Sequence, residues 1–358
     1  MASFEVQYFL GANSPAGFYS LYDQMIDRTK ARRLYILKGG PGCGKSTLMR
    51  RVAERAKAAG QEVEYILCSG DPDSLDAVIL PGLEIAVADG TAPHVIEPEY
   101  PGVVEQYVNL GDCYRPGLEA VRQEIMAVTK AYKGGYRSAY RCLSAAGDMM
   151  EELRTIVTDR ELEEKMVRRA RGILAREVPR RRGAAPGHVK GRFLTAVTHR
   201  GRIALYNTVL AQCSRVYELS DRCGLAHSLL SPLLDGIVDA GYDVIACPDP
   251  MAVDRLAHLI VPELGLAFVS TTPAMPFPEK PYRRLRMEGA VDGELLRKTR
   301  ARTRFIRKMG DALTEEGIRN LAYTKSMHDK MEALYHPYID FERVNRMADL
   351  IVEDIFSA

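Results

Sequence analysis

Along the first hundred residues, short apolar runs alternate with stretches of helical periodicity. The runs fall at about 5–10, 33–38, 63–68 and 84–89, with a further one at 105–110, and each is predicted to form a strand. Between the second and third runs, "STLMRRVAERAKAA" repeats apolar residues at helical spacing and stops at Gly60, a normal C-terminal helix signal. Strand and helix in alternation imply a parallel sheet flanked by helices. Beyond residue 116 the pattern is purely helical. "GLEAVRQEIMAVTKAYK" and "YRSAYRCLSAAGDMMEELRTIV" lie on either side of Gly134-Gly135, and "DRELEEKMVRRARGILAREV" follows. Residues 292–356 repeat this helical character.

The same plan occurs twice. Phe9, Leu10, Ala12, Gly17, Leu21 and Tyr22 match Phe193, Leu194, Ala196, Gly201, Leu205 and Tyr206 at a constant offset of 184. Further on, Gly60, Val63, Asp71, Pro72 and Asp76 meet Gly241, Val244, Asp249, Pro250 and Asp254. Pro81, Leu83 and Ala86 meet Pro262, Leu264 and Ala267, and Asp148, Met150, Glu151 and Leu153 meet Asp329, Met331, Glu332 and Leu334. The order of matches is preserved with a drift of a few residues, so the chain reads as a tandem duplication. The expected fold is α/β, with two parallel-sheet halves that each carry a helical appendage. The first half is expected over 1–184 (core about 1–115, appendage about 116–178) and the second over 185–358 (core about 190–290, appendage about 291–356). The seam falls in "PRRRGAAPGHVKG".

The first half carries the chemistry. "GGPGCGKS" (39–46) satisfies G-x-x-x-x-G-K-[ST], with strand "RLYILK" before it and a helix after it. Glycines at 39, 40, 42 and 44 let successive backbone N–H groups face one anion. The helix that follows adds the positive end of its dipole. In this pattern Lys45 reaches the outer phosphates of a nucleotide, Ser46 offers a hydroxyl to Mg²⁺, and Thr47 adds a phosphate contact. Pro41 and Cys43 fill variable positions of the same loop, and Cys43 reads as a tolerated small residue. An acid at the end of a neighbouring strand commonly orders the metal. Asp89 in "LEIAVAD" is the candidate, although it also begins the turn "DGT". Asp71, Asp73 and Asp76 follow the 63–68 strand, where open α/β sheets bind ligands. They are read either as groups for water or a second substrate, or as helix caps. His94 is read as a phosphate contact or an ordinary loop histidine. No N-K-x-D motif for guanine is present, which favours ATP over GTP.

The second copy of the loop is eroded. Aligned by residue type, "DRCGLAHS" keeps Gly224 and Ser228, sets His227 under Lys45, and opens on Asp221, a negative charge against an incoming phosphate. Ser270 stands at the Asp89 position. Metal-dependent hydrolysis is therefore expected in the first half only. Basic residues concentrate at 165–192, with ten Lys or Arg against one acid. They recur on one predicted helix face at Arg297, Arg300, Arg304 and Arg307. A solvated face, a phosphate or nucleic-acid patch, and arginine supplied to the γ-phosphate are all open readings. Sparse aromatic residues count against a reader of single strands.

Composition narrows the classes. A net charge of +2 makes no general case for nucleic acid or membrane as a partner. No apolar run approaches the roughly 20 residues of a membrane helix. The start "MASFEVQYFLGANS" lacks the features of a signal peptide. Seven cysteines without C-x-x-C spacing suit reduced thiols, so a cytoplasmic location is expected.

On "GGPGCGKST" the chain resembles the P-loop NTPase superfamily. With "FLGANSPAGFYSLYD", "DPDSLDAVILP" and "VADGTAPHVIEPEYPG" it also looks like a bacterial family of tandem P-loop ATPases over nearly its full length. The resemblance implies ATP binding through Gly39–Thr47, with hydrolysis or phosphoryl transfer, and supplies no substrate. The leading expectation is a Mg-dependent ATPase with Lys45 and Asp89 as its catalytic residues and Ser46 and Asp89 as its metal ligands. A small-molecule kinase and a non-catalytic nucleotide-sensing or assembly module are the alternatives.

Overall fold

A computed structural model describes residues 5–181 and 183–356. The first four residues of the N-terminal reading, Arg182 of the basic run and the last two residues lie outside the described residues. The first half contains strands β1 (Val6–Phe9), β2 (Gly11–Ser14), β3 (Gly17–Ser20) and β4 (Arg33–Lys38), helix α1 (Lys45–Ala58), and strands β5 (Glu64–Leu67), β6 (Leu75–Leu80), β7 (Ile85–Asp89) and β8 (Glu105–Asn109). Helices α2 (Arg122–Val157) and α3 (Arg160–Glu177) follow. The second half contains β9 (Val189–Gly191), β10 (Thr195–Thr198), β11 (Gly201–Ala204), α4 (Tyr206–Gln212), β12 (Arg215–Ser220), α5 (Ala226–Asp239), β13 (Val244–Asp249), β14 (Ala252–Val261), β15 (Leu266–Thr271) and β16 (Arg283–Arg286). It ends in α6 (Gly293–Tyr335) and α7 (Phe341–Phe356).

Each half forms a six-stranded sheet of the same topology. The orders are β1-β5-β6-β7-β4-β8 and β9-β13-β14-β15-β12-β16. The expectation of purely parallel sheets is corrected, because β6 and β14 run antiparallel to both neighbours. Strand β6, "LDAVIL", was not expected at all. All six of its residues are buried, so its sequence shows no polar–apolar alternation. The β2–β3 and β10–β11 hairpins are likewise additional and pair at the repeat offset of the sequence.

The halves meet around a pseudo-twofold axis. Phe9 N–H donates to the Phe193 carbonyl at 2.9 Å, and Phe193 N–H donates to the Phe9 carbonyl at 2.8 Å. Each residue bonds its own repeat image, the mark of an isologous contact. Beside this pair the fully buried Arg192 meets the Glu64 carboxylate at 2.5 Å and donates to the carbonyls of Gln24 and Met25 at 2.8 and 3.0 Å.

The helices that follow each sheet cross over. Leu153 and Val157 of α2 and Leu162, Met166, Ala170 and Ile173 of α3 pack into the core of the second sheet. Val344, Ala348, Ile351 and Ile355 of α7 pack into that of the first. Amphipathic helices that bury one face against the opposite half tie the two cores together.

Helix α2 runs unbroken through Gly134-Gly135, although glycine is a poor helix former. The reason lies in α6. A Cβ on Gly135 would stand 2.3 Å from Thr324 Oγ1, so a side chain there would force the helices apart, whereas Gly134 has only the flexible tip of Arg137 at 3.9 Å. The two glycines therefore separate in a test. Gly134→Ala is expected to raise stability by about 1 kcal/mol through helix propensity. Gly135→Ala is expected to lower it by about 1–3 kcal/mol through overpacking. Urea unfolding of both variants measures the difference.

Candidate functional site

Strand β4 lies between β7 and β8, and the loop 39–44 leaves its end directly into α1. The loop can turn back over the sheet because Gly42 and Gly44 hold φ of +70° and +88°, a region that a Cβ disfavours. A Cβ on Gly40 would lie 2.2 Å from the Tyr114 hydroxyl oxygen, which accepts the Gly40 N–H at 2.8 Å. Gly44 precedes the first turn of α1 with no side-chain cap, so the N–H groups of that turn receive no carboxylate or hydroxyl.

Lys45 folds back over this loop. Its Nζ donates to the carbonyls of Gly39 and Gly40 at 2.7 and 3.0 Å and lies 3.5 Å from Asp89 Oδ2. Both side chains are about nine-tenths buried. Asp89 is delivered by strand register, since Leu37 of β4 pairs with it at the end of β7. Its two oxygens have different partners. Oδ1 accepts the Thr91 N–H and hydroxyl at 2.8 and 2.6 Å, which forms the turn, while Oδ2 faces Lys45. Ser46 Oγ accepts the Leu75 N–H at 3.0 Å and so ties α1 to the unexpected strand β6. A hydroxyl oxygen has a second lone pair, so this bond leaves Ser46 able to ligate a cation. Pro41 and Thr47 line the same cavity. Cys43 is buried beneath the loop, and burial pushes its thiol up, away from the thiolate a nucleophile needs.

These groups line a cavity of about 690 Å³ that continues beyond the loop. Asp71, Asp73, Asp76 and His94 all line it. The 71–74 segment leads into a strand, so these acids cap no helix there. Asp71 receives the Ser74 hydroxyl at 2.9 Å and lies 3.5 Å from Lys325. Asp73 pairs with Arg200. Asp76 accepts the Tyr22 hydroxyl at 2.6 Å and stands 3.4 Å from His94 Nε2, and burial pushes its carboxyl up. Cys68 joins Asp76 and His94 within reach of a shared cation, as His328, Asp329 and Glu332 do on α6. Burial also pushes the Cys68 thiol well up, so the first set stands as a hydrogen-bonding relay rather than a thiolate site. The far wall comes from α2 and α6 through Tyr132, Tyr136, Thr324, Lys325 and Glu332. Sequence gave no local signal for these residues, because their distance along the chain is closed only by the antiparallel α2–α6 pair.

The second loop is built differently. Asp221 Oδ1 accepts the Cys223 N–H at 3.0 Å and Oδ2 the Ala226 N–H at 2.7 Å. The protein's own carboxylate thus takes the backbone donors that an anion would need. The hydrogen bonds also shift the alignment by one residue. His227 Nδ1 accepts the Leu256 N–H at 3.0 Å, the role that Ser46 Oγ plays towards Leu75 one repeat earlier. Ala226 therefore occupies the Lys45 position at the start of α5, and the second loop has lost its cation outright. Arg297, Arg300, Arg304 and Arg307 line clefts of this second half, and none of them lines the cavity at Gly39–Ser46.

The family described as nephrocystin 3, N-terminal matches residues 19–78, about a sixth of the chain. That stretch holds β4, the glycine-rich loop, α1, β5 and most of β6. No curated protein and no solved structure matches the chain. Among the described residues, no helix is long and apolar enough to cross a membrane.

Proposed function

We propose that the first half is a P-loop-type site that binds Mg-ATP through Gly39–Thr47 and hydrolyses it. The observation that carries this reading is the uncapped first turn of α1 beside a buried Lys45–Asp89 pair, in a cavity of about 690 Å³ that would hold a nucleotide. An incoming phosphate offers Lys45 stronger, charge-assisted partners than the two carbonyls it now contacts. The free N–H groups of the first turn neutralise the same anion. Ser46 and Asp89 are the residues that would hold Mg²⁺, which when bound shields phosphate charge and orients the β- and γ-oxygens. Asp89 keeps one oxygen for its turn, so its other oxygen is the one free to exchange Lys45 for the metal shell.

A kinase reading rests on a different observation. The cavity extends past the loop to the Tyr22–Asp76–His94 relay, where His94 Nδ1 has no partner among the described residues. That geometry suits accepting a proton from a hydroxyl acceptor held near Asp71 and Asp73.

ADP formation and phosphate release from Mg-ATP by the purified chain, each followed with and without candidate acceptors, separate the readings. ADP and free phosphate without acceptor support hydrolysis, ADP with a phosphorylated acceptor and no free phosphate supports the kinase, and binding without ADP formation overturns both in favour of a sensing module. Asp89→Asn is expected to lower turnover about 100-fold while leaving nucleotide binding within a few-fold. Equal turnover of variant and wild type would remove Asp89 from the metal role.

A further inference from the structure

We infer that the second half holds its own binding site for a small organic polyanion, which it takes up through arginine and neutral N–H donors without magnesium. This inference does not depend on the ATP reading, because it concerns different residues.

The site is a cavity of about 750 Å³ between the loop at 221–226, the β10–β11 hairpin and the crossing of α2 and α6. Seven buried side-chain polar atoms lack a hydrogen-bond partner among the described residues. Four of them, Arg202 Nε, His258 Nε2, Thr272 Oγ1 and Arg307 Nε, belong to residues that line this one cavity. Buried polar groups are ordinarily paired, so their concentration here calls for a missing acceptor. His258 defines its character. The ring is 1% exposed and its Nδ1 accepts the Ser270 N–H at 3.1 Å, which leaves the proton on Nε2. Burial holds the imidazole down at about 3, so it is a neutral donor throughout the physiological range.

Charge points the same way. Arg255 and Arg307 line the cavity without a carboxylate partner among the described residues, and the guanidinium of Arg255 is held low by burial and by the Arg154 charge. The acids on the wall are largely committed elsewhere. Asp221 serves the loop N–H groups, and Asp311 meets Arg202 at 3.1 Å. Asp249 accepts the Met251 N–H at 2.8 Å and is pushed up by burial, and Glu315 is exposed. An anion in this cavity relieves the like-charge crowding of Arg255 with Arg154 and gives the uncommitted Arg307 a partner.

The chemistry also excludes a copy of the first site. Asp221 fills the loop, and Ser270 stands where a metal-ordering acid would be, so neither the loop amides nor a cation is offered. Met150, Met251 and Met275 supply an adaptable apolar wall, which suits an organic body rather than an inorganic phosphate. At Arg222 and Arg307 the cavity adjoins an arginine-lined cleft of about 1130 Å³, a route that attracts polyanions.

The test uses the full chain with Lys45→Ala, in EDTA, titrated calorimetrically with ADP, citrate and inorganic tripolyphosphate. Saturable binding of ADP or citrate is expected, and Arg255→Gln or Arg307→Gln is expected to weaken it about 10-fold or more. Because Arg255 is crowded by like charge, Arg255→Gln is expected to leave Tm unchanged or higher, which separates lost binding from lost folding. ADP against citrate identifies phosphate or carboxylate as the preferred anion. Absence of saturable heat from all three probes at millimolar concentration overturns the inference. So does binding that both arginine variants leave intact, or tripolyphosphate binding more tightly than either organic anion.

Discussion

Replacing Lys45 with alanine is expected to weaken Mg-ATP binding at least about 100-fold, while His227→Ala leaves it within about two-fold. The first figure follows from removing the charged partner of a desolvated phosphate, an event worth roughly 2–5 kcal/mol. Lys45 is about nine-tenths buried and its carbonyl partners hold it at the loop, so little reorganisation is needed before it meets the ligand. Its removal also leaves Asp89 Oδ2 without its cation at the same cavity, which adds repulsion towards the triphosphate. His227 has no such role, because its imidazole is spent on the Leu256 N–H in the other half. Isothermal titration with Mg-ATP measures both variants. Equal losses would mean that the two loops share one ligand, and an unaffected Lys45→Ala protein would rule out the loop as the phosphate cradle.

Arg192→Ala is expected to lower stability by about 3–5 kcal/mol, the range for breaking a buried ion pair on one side. Arg192 is fully buried at the junction of the halves and carries the Glu64 carboxylate together with carbonyls of Gln24, Met25 and Gly191. Without the guanidinium those acceptors remain buried, and the separation of the halves becomes easier. Thermal unfolding followed by circular dichroism should show Tm falling by roughly 5 °C. The same pair sets an acid sensitivity. Burial alone would push Glu64 up, but the charges of Arg192 and Lys190 outweigh it and hold the carboxyl below its ordinary value of 4.5. A carboxyl lowered by folding contributes stability that is fully present above its unfolded pKa and is lost as pH falls through the folded value. Stability of the wild type should therefore decline as pH falls below about 4, and Arg192→Ala should show a shallower decline. A variant with wild-type Tm and an unchanged acid profile would show that the buried pair does not hold the halves together.

Several elements were legible because they are local. The glycine-rich loop, its preceding strand and α1 need only neighbouring residues, and β4 and α1 occupy nearly the expected positions. The repeat was legible as well, and the two sheets share one strand order. Strand β6 was missed because a central strand buried on both faces carries no alternation to detect. Propensity alone disfavours Gly134-Gly135 inside a helix and carries no sign that Thr324 sits against Gly135. In the second loop, matching by residue type set His227 under Lys45, whereas its bond to Leu256 shows it doing the work of Ser46.

By itself the sequence determined that the chain is duplicated, that each half mixes strands with helices, and which of the two loops retains glycines and a lysine. Those properties follow from short-range periodicity and from residue types read within a few positions of one another. Only the tertiary structure decided that β6 and β14 run antiparallel, that each core is sealed by helices from the opposite half, and that Asp221 closes the second loop. It also decided where the arginines of α6 stand. The physical reason is common to all of these: they depend on contacts between residues far apart in the chain, whose partners are set by burial of whole faces and not by any local preference.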